Sequence, residues 1–577
     1  MAVIRKIEIS HFRSIEKFSW FPSSGVNCLI GAGDSGKSTI LDAIDLCLGA
    51  RRSANISDAD FYSLDVEQPI SITLLLGNLA DSLKNYEVYG DYLRGFDVAH
   101  GIIADEPGHG LETVLSLNLN ISGDLEPRWK LISPRAEERS GDRNLNWNDR
   151  INLAPTRLGA TADHNLAWRR GSVLNRLSEE KPNASLALSQ AARDARKAFG
   201  DEAEAQLGDA LASVKAAANE LGIPIGENAK ALLDTHSVSF SGGSIALHNE
   251  DGIPLRNLGL GSTRLLIAGL QRRVSALSSI LLVDEVENGL EPHRIIRLIG
   301  SLGAKTSPPP QQVFATTHSP VVLRELAVDQ LKILRKTADG HLPLEVPAGG
   351  QGTLRSFPEA FLAPSVLICE GASEVGFMRG FDQYCVMHGR ASIFARGVAL
   401  LDGGGGHADR PYERAVEMAQ LGYRVAVFRD DDVKPTPQVE TDLHSLGGVT
   451  FTWDEGQSIE TAIINGVGDA TLLKLIDYAI AEHGHDLIAA HIQSASDNQE
   501  NVENLRALLH SPNHTVDAAQ RSFIVTASGR KKNSWFKTVG RMEHVAREIL
   551  APNFSDASES LKGRVNAPLV WAQTAYV

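Results

Sequence analysis

Apolar residues fall in short runs punctuated by glycine and by acids, and the runs are of two kinds. At the start, Met1-Ala2-Val3-Ile4-Arg5-Lys6-Ile7-Glu8-Ile9-Ser10 alternates with period two and predicts a strand with one covered face. Later runs are continuous: Val26-Asn27-Cys28-Leu29-Ile30, Ser279-Ile280-Leu281-Leu282-Val283, Gln312-Val313-Phe314-Ala315-Thr316, Ser365-Val366-Leu367-Ile368-Cys369 and Tyr423-Arg424-Val425-Ala426-Val427-Phe428. Each is bounded by turn or charged residues, as expected of a strand buried on both faces. Between 85 and 240 the pattern changes. Tyr86 to Phe96, Pro107-Gly108 and Pro127-Arg128-Trp129-Lys130 interrupt any heptad, and only 174–222 is rich in Ala, Leu, Glu and Lys. The pattern predicts an α/β chain in four stretches: 1–84, a mainly helical insertion over 85–240 serving dimerisation, 241–355, and a second α/β domain over 356–577.

The turn after the third run is Gly31-Ala32-Gly33-Asp34-Ser35-Gly36-Lys37-Ser38-Thr39. Gly31 and Gly36 stand at the spacing that lets backbone N–H groups approach nucleotide phosphates, with Lys37 reaching the β/γ oxygens and Ser38 holding Mg²⁺. The Ser279–Val283 run ends in Asp284 and Glu285. Alone, such an acid serves as well to cap a helix; paired with the glycine-rich turn, Asp284 reads as part of the Mg²⁺ shell and Glu285 as the group that polarises a water toward the γ-phosphate. Leu258-Gly259-Leu260-Gly261-Ser262-Thr263-Arg264 precedes the acidic strand, with Ser262 read as the N-cap of a helix, and His318 follows the Gln312–Thr317 strand.

These motifs resemble those of ABC-type ATPases: Gly261 and Ser262 the signature segment offered to a nucleotide on the other subunit, His318 the switch histidine, and Glu287-Asn288-Gly289-Leu290-Glu291-Pro292-His293 the loop lining the dimer contact. His11-Phe12-Arg13-Ser14-Ile15 resembles the opening of RecF-like members. The signature departs from the usual Ser-Gly-Gly form, so slow or DNA-gated hydrolysis is expected. About 220 residues separate Lys37 from Gly261, the split layout of SMC/RecF-like ATPases.

A different chemistry occupies the second half of the chain. Glu370 tips the Ser365–Cys369 strand, Gly371 turns the chain, and Glu374 falls in the first turn of the next helix. Asp430 and Asp432 tip the Tyr423–Phe428 strand, where alternate residues share a face. Carboxylates gathered at the carboxyl ends of neighbouring strands are costly unless a cation neutralises them, which implies a divalent metal; acids capping helices or facing solvent are the alternative. Glu460, in Ser458-Ile459-Glu460, is a further candidate ligand. Lys532, and after it Lys537, in the basic stretch Ser528–Lys537 are candidates for the positive charge at a scissile phosphate.

The E-G-x-x-E and D-x-D segments, with Leu400-Leu401-Asp402-Gly403-Gly404-Gly405-Gly406 between them, resemble the Toprim domain over roughly 362–540. Two Mg²⁺ or Mn²⁺ ions about 4 Å apart would activate water and stabilise the leaving 3′ oxygen there. An ABC-type ATPase followed by Toprim resembles the OLD (overcoming lysogenisation defect) nucleases, with a layout closest to class 2 members, the group that includes Gabija nuclease subunits. The resemblance implies metal-dependent DNA nicking or cleavage governed by ATP, a role in anti-phage defence, a homo-oligomer of at least two chains and a helicase partner. The other reading is a RecF/SMC-like ATPase that clamps DNA, its Toprim domain kept for binding. A topoisomerase or primase is disfavoured, since no tyrosine-bearing cleavage domain fits after residue 540.

Composition alters little. Of 577 residues, 43% are hydrophobic and 22% charged, ordinary for a globular chain with two or three cores. The net charge of −15 runs against DNA binding, so phosphates would need local patches such as Arg169-Arg170 beside Trp168, Arg272-Arg273 or 530–537. Cys28, Cys47, Cys369 and Cys385 show no ligand spacing and read as reduced and buried. No apolar run reaches membrane-spanning length and the start lacks a signal peptide's apolar core, so a cytoplasmic protein is expected.

Overall fold

The structure, a computed structural model, describes residues 2–33, 35–139, 143–159, 166, 172–174, 190–191, 193–194, 198–199, 206–216, 247–273, 280–511, 515–530 and 532–574. The chain divides into two compact units, Met1–Cys28 with Ser38–Thr317, and Leu29–Lys37 with His318–Val577.

The strands serving the first unit are β1 (Val3–Phe12), β2 (Ile15–Trp20), β3 (Val26–Ile30, shared in sequence between the units), β4 (Ile70–Gly77), β5 (Leu93–Asp97), β6 (Ile102–Ala104), β7 (Glu112–Ile121), β8 (Pro127–Ile132), β9 (Thr156–Leu158), β10 (Ile280–Val283) and β11 (Gln312–Thr316). One set is antiparallel, in the order β6-β5-β7-β4-β1-β2. In it β4 covers one edge of β7, while β5 and then β8 share the other. The alternation read at the start holds: Ile7 and Ile9 are fully buried and Glu8 between them is exposed. The other set, β9-β10-β11, is parallel, and β10 and β11 are buried at every position, as their unbroken apolar runs require. A buried amide links the two sets, which also meet where the Trp20 and Phe314 rings stand 5.7 Å apart. Buried Gln312 accepts from Ile4 N at 2.8 Å and donates to Ile4 O at 2.9 Å and Ser23 O at 2.8 Å.

Residues 85–132, expected within a mainly helical insertion, instead supply β5 to β8. The physical reason is that Leu115, Leu117, Leu119 and Ile121 face a core already built by β4, so they propagate its edge rather than fold apart. Most of the Ala-rich stretch 174–222 and the Arg169-Arg170 pair lie outside the described residues.

The second unit contains an antiparallel hairpin, β12 (Leu331–Thr337) with β13 (Gly340–Glu345), and a four-stranded parallel sheet ordered β15-β14-β16-β17. Its strands are β14 (Ser365–Cys369), β15 (Val398–Asp402), β16 (Arg424–Arg429) and β17 (Val449–Thr452). Helices from Ile459 to Gln573 complete this unit. At its centre Trp453 meets Phe377 with ring centroids 5.4 Å apart and Phe428 at 5.2 Å. Cys369 and Cys385 are free and buried here, as are Cys28 and Cys47 in the first unit. Among the described residues no helix is long and apolar enough to cross a membrane.

Helix Ala372–Met387 crosses the chain of Val539–Leu550 at two glycines. A Cβ on Gly376 would overlap Val539 O, and one on Gly380 would overlap Glu543 O and stand 2.6 Å from Ala546 Cβ. Backbone cannot retreat as a flexible side chain can. Gly380→Ala is therefore expected to destabilise this unit by about 1–3 kcal/mol, read as a lower denaturation midpoint; an unchanged midpoint would show that the helices can separate without cost.

Candidate functional sites

In the second unit the segment Leu29–Lys37 carries the phosphate loop. Gly31 has φ +153°, and a Cβ there would stand 2.6 Å from Leu334 O, so glycine is required both by conformation and by the close approach. Lys37 is buried and its ammonium folds back onto Ala32 O at 2.8 Å, Gly31 O at 3.2 Å and Ser35 Oγ at 3.2 Å. An ammonium facing this loop's own carbonyls is held where an anion placed over the loop would draw it away. Space above Gly33 is open, and a Cβ added there would meet no atom within 4 Å; Gly36 has φ +86°, and Asp34 lies outside the described residues. His318, two residues past the end of β11, is exposed.

In the first unit, helix Lys37–Leu48 presents Ser38, whose hydroxyl donates to Asp284 Oδ1 at 3.0 Å across 246 residues of sequence. The Thr316 hydroxyl donates to the same oxygen at 2.6 Å and accepts from Glu285 N at 2.8 Å. Arg157 Nη2 stands 3.5 Å from Asp284 Oδ2, and its Nη1 is 2.5 Å from Asp42 Oδ1. Ser38 and Asp284 thus meet as a Mg²⁺ shell requires. Thr39 Oγ1 is 3.2 Å from Ser14 Oγ. Glu285 is exposed with φ +47°, its turn fixed by Arg264, which donates to Glu285 O at 2.9 Å, Asn288 O at 2.7 Å and Asp284 O at 2.8 Å.

Ser262 is not the N-cap expected of it. Helix Leu260–Arg273 begins two residues earlier, with Thr263 N donating to Gly259 O at 3.1 Å, and the Ser262 hydroxyl accepts from Arg294 Nη1 at 3.0 Å. The early start brings Gly261 flush against Gly289 O, where a side chain would collide. Arg157, Arg264 and Thr316 were missed in the sequence. Thr316 ends a run already recognised and was findable; Arg157 and Arg264 have no local pattern, because their partners are distant carboxylates or backbone carbonyls.

The carboxylates of the second unit do converge. β14 and β16 pair in parallel with Cys369 opposite Phe428, so Glu370 emerges level with Arg429 and one residue short of Asp430, and Glu370 Oε2 accepts from Asp430 N at 3.0 Å. Glu374, 3% exposed, turns back to accept from Gly371 N at 2.9 Å, and Asp430 Oδ1 accepts from Ile459 N at 2.8 Å. Glu460, 1% exposed in the first turn of helix Ile459–Gly466, has two carboxylate oxygens with no hydrogen-bond partner. Asp432 is exposed. Asp431 points elsewhere, paired with Arg429 at 3.2 Å and Lys434 at 2.6 Å, so the alternation read from the strand tip holds beyond its end. The glycine loop after β15 closes over this edge through Gly405 N to Glu370 O at 2.9 Å.

Burial raises the pKa of Glu370, Glu374, Asp430 and Glu460, and their mutual repulsion adds to it: Asp432 acts on Glu370, while Asp430, Glu370 and Glu460 act on Glu374. Asp430 is pushed up to about 8, by burial first and then by Glu370, Glu460 and Asp432. The cation nearest Glu460 is Lys537, 3.8 Å from Oε1; Lys532, the first choice from sequence, is exposed and makes no such pair. The expected two-ion site is not assembled. Among the described residues no three His, Cys, Asp or Glu side chains stand in metal-holding geometry, because Glu370, Glu374 and Asp430 are each drawn to a backbone N–H. The donor set nevertheless fits a hard divalent cation, since all its donors are carboxylate oxygens and those of Glu460 are unsatisfied.

These shifts fix a sign. Because the folded carboxylates bind protons more tightly than the unfolded chain, the fold loses stability as pH rises from the ordinary carboxylate range toward about 8. Melting of the metal-free protein is expected to fall between pH 5.5 and 8.5 and to be restored at the higher pH by Mn²⁺, while Glu460→Gln shrinks both effects; a melting temperature independent of Mn²⁺ at pH 8.5 would count against a cation here.

Three comparisons bear on these sites. Residues 26–324, more than half the chain and covering the phosphate loop, Asp284 and His318, match the family model described as "AAA domain, putative AbiEii toxin, Type IV TA system". The chain is 25% identical over 111 residues to the DNA replication and repair protein RecF of Chlorobium phaeovibrioides (strain DSM 265 / 1930); the match takes in 17% of this chain and spans 30% of that relative's length. Among solved structures, it is similar to the Smc head with an extended coiled coil bound to the C-terminal domain of ScpA, derived from Pyrococcus furiosus. That match has 13% identity and a TM-score of 0.32, covering 61% of this chain and 98% of that one. The SMC head domain from Thermotoga maritima matches at 12% identity and a TM-score of 0.28, covering 60% and 99%. The extent of the family match, over the same residues whose geometry is described above, decides the assignment: the chain belongs to the AAA domain family whose description is "putative AbiEii toxin, Type IV TA system".

Proposed function

We propose that this AAA-family ATPase is a metal-dependent DNA endonuclease of the OLD type, in which a Toprim-like site in the second unit cuts DNA under control of nucleotide bound at the phosphate loop. The observation that carries the reading is Glu460: a carboxylate 1% exposed, both oxygens unsatisfied, beside Glu374, Asp430 and Glu370 at the carboxyl ends of parallel strands. Burying several acids together for stability alone is unfavourable, since one backbone N–H each, and for Glu460 one ammonium at 3.8 Å, does not replace the hydration lost.

In this reading Glu370, Glu374, Asp430, Asp432 and Glu460 hold Mg²⁺ or Mn²⁺, which when bound supplies an activated water and charge for the leaving oxygen. Lys537 neutralises the scissile phosphate, with Lys532 contacting DNA further out. The phosphate-loop residues Gly31, Gly33, Asp34, Ser35, Gly36, Lys37 and Thr39 cradle ATP. Ser38 and Asp284 hold its Mg²⁺, Glu285 orients the attacking water, His318 senses the γ-phosphate, and Gly261 with Ser262 serves the nucleotide of a second copy. The domain limits 241–355 and 356–577, with the first part extended from 1–84 through the strands up to residue 132, a cytoplasmic homodimer or larger homo-oligomer, a helicase partner and a role against phage complete the proposal.

A second reading, a DNA-clamping ATPase without cleavage, is favoured by the unassembled metal geometry. One assay separates them: cutting of supercoiled and linear DNA with Mg²⁺ or Mn²⁺, with and without ATP. Glu374→Gln is expected to lower cutting by about 100-fold or more and Lys37→Ala to abolish its response to ATP while leaving cutting measurable. Equal cutting by Glu374→Gln would remove the chemistry from this cluster, and no cutting by the unaltered chain in any condition would favour the clamp.

A further inference from the structure

The first unit contains a cleft of about 560 Å³ none of whose lining residues belongs to either candidate site. Arg52, Arg128, Lys130 and Arg143 converge on it, with Asn120 and Asn144 between them and no acid in its lining. In a chain of net charge −15, four cations in one depression are not a sample of the surface.

The cleft is built rather than incidental. Along β8, Arg128 and Lys130 take the outward positions while Trp129 and Leu131 are buried. The antiparallel register with β7 sets Asn120 opposite Arg128. On the other side of β8, Leu131 N donates to Arg143 O at 2.7 Å, which brings Arg143 alongside Lys130. Trp129 forms a fixed floor, its indole N–H donating to Leu46 O at 3.2 Å and its ring covered by the Arg150 guanidinium at 4.4 Å. Arg52 reaches in from outside this hairpin, its guanidinium 5.1 Å from the Trp147 ring.

Little of the charge is neutralised. Arg128 pairs at the rim with exposed Asp124, and Arg143 donates to the carbonyl of Val88. The ammonium of half-buried Lys130 has no hydrogen bond or ion pair among the described residues. Like charges in a recess of reduced dielectric repel more strongly than on open surface, so the arrangement favours a multiply charged anion. Basic residues on an edge strand can also serve only to block strand pairing. That role needs no contribution from Arg52 and Arg143, which lie outside β8 yet face the same cleft.

We propose that this cleft grips the phosphate backbone of DNA, without regard to sequence. Two cations alternate along β8 at about 6.7 Å, a spacing comparable to that of adjacent phosphates on one strand, and the asparagine amides offer further donors to phosphate oxygens. The choice of DNA over another phosphate rests on the DNA-acting reading above; the cationic cleft does not.

The test is anisotropy of a labelled duplex with the full chain in EDTA, where no metal-dependent cutting occurs, across a salt series. Arg128→Glu/Lys130→Glu is expected to weaken binding about tenfold or more and to reduce the salt slope by about 1.8, the value for two lost phosphate contacts. Melting should be unchanged, and Arg128→Lys/Lys130→Arg should restore binding. Unchanged affinity and slope in the double charge reversal would overturn the inference, as would a loss of inorganic tripolyphosphate binding with DNA binding intact, which would assign the cleft to a small polyphosphate. Failure of the nuclease reading is seen separately, in cutting by Glu374→Gln, and leaves this binding result standing.

Discussion

Parallel register is the constraint on which both candidate sites depend. Strands running side by side in one direction end at the same level, so the residues just past the end of one strand meet those just past the end of its neighbour. Val283 opposite Ala315 makes Asp284 and Thr316 adjacent, and Cys369 opposite Phe428 sets Glu370 level with Arg429, within reach of Asp430 one residue further on. A slip of one residue in either pair would put an apolar side chain into the site and an acid into the core. The unbroken apolar character of these strands prevents this, because both their faces are covered and any slip buries charge.

The two acidic sites solve the cost of their charge differently. Asp284 accepts from the hydroxyls of Ser38 and Thr316 and faces the Arg157 guanidinium, so its partners come from the protein itself. The cluster around Glu374 has chiefly backbone N–H groups and one distant ammonium, and responds by raising its proton affinity. In the nuclease reading proposed above, a divalent ion would relieve the repulsion and the unsatisfied oxygens together. Trp453, Phe377 and Phe428 pack against one another in the same unit.

Net charge proved a poor guide to electrostatics in this chain. Five acids gather at the edge of the second unit's sheet, while Arg52, Arg128, Lys130 and Arg143, scattered over 92 positions of sequence, gather in one recess. The field that an approaching polyanion meets is set locally, within about 10 Å at ordinary ionic strength.

The sequence by itself determined the strands that carry the sites, the phosphate loop and the candidate acids, because each is encoded by neighbours within a few residues: an apolar run, a glycine spacing, an acid at a strand tip. It also paired Asp430 with Asp432 rather than Asp431, and Asp431 does turn instead to Arg429 and Lys434. Only the tertiary structure decided the rest. Residues 85–132 read as part of a mainly helical insertion and instead became strands because the edge of β4 was available to pair with. Ser262 fell inside its helix because Gly261 packs on Gly289, and Lys537 stood nearer the acids than Lys532 because Trp535 and Phe536 are buried just before it. In each case the deciding partner lies far away in sequence, where local periodicity carries no information about which surfaces will meet.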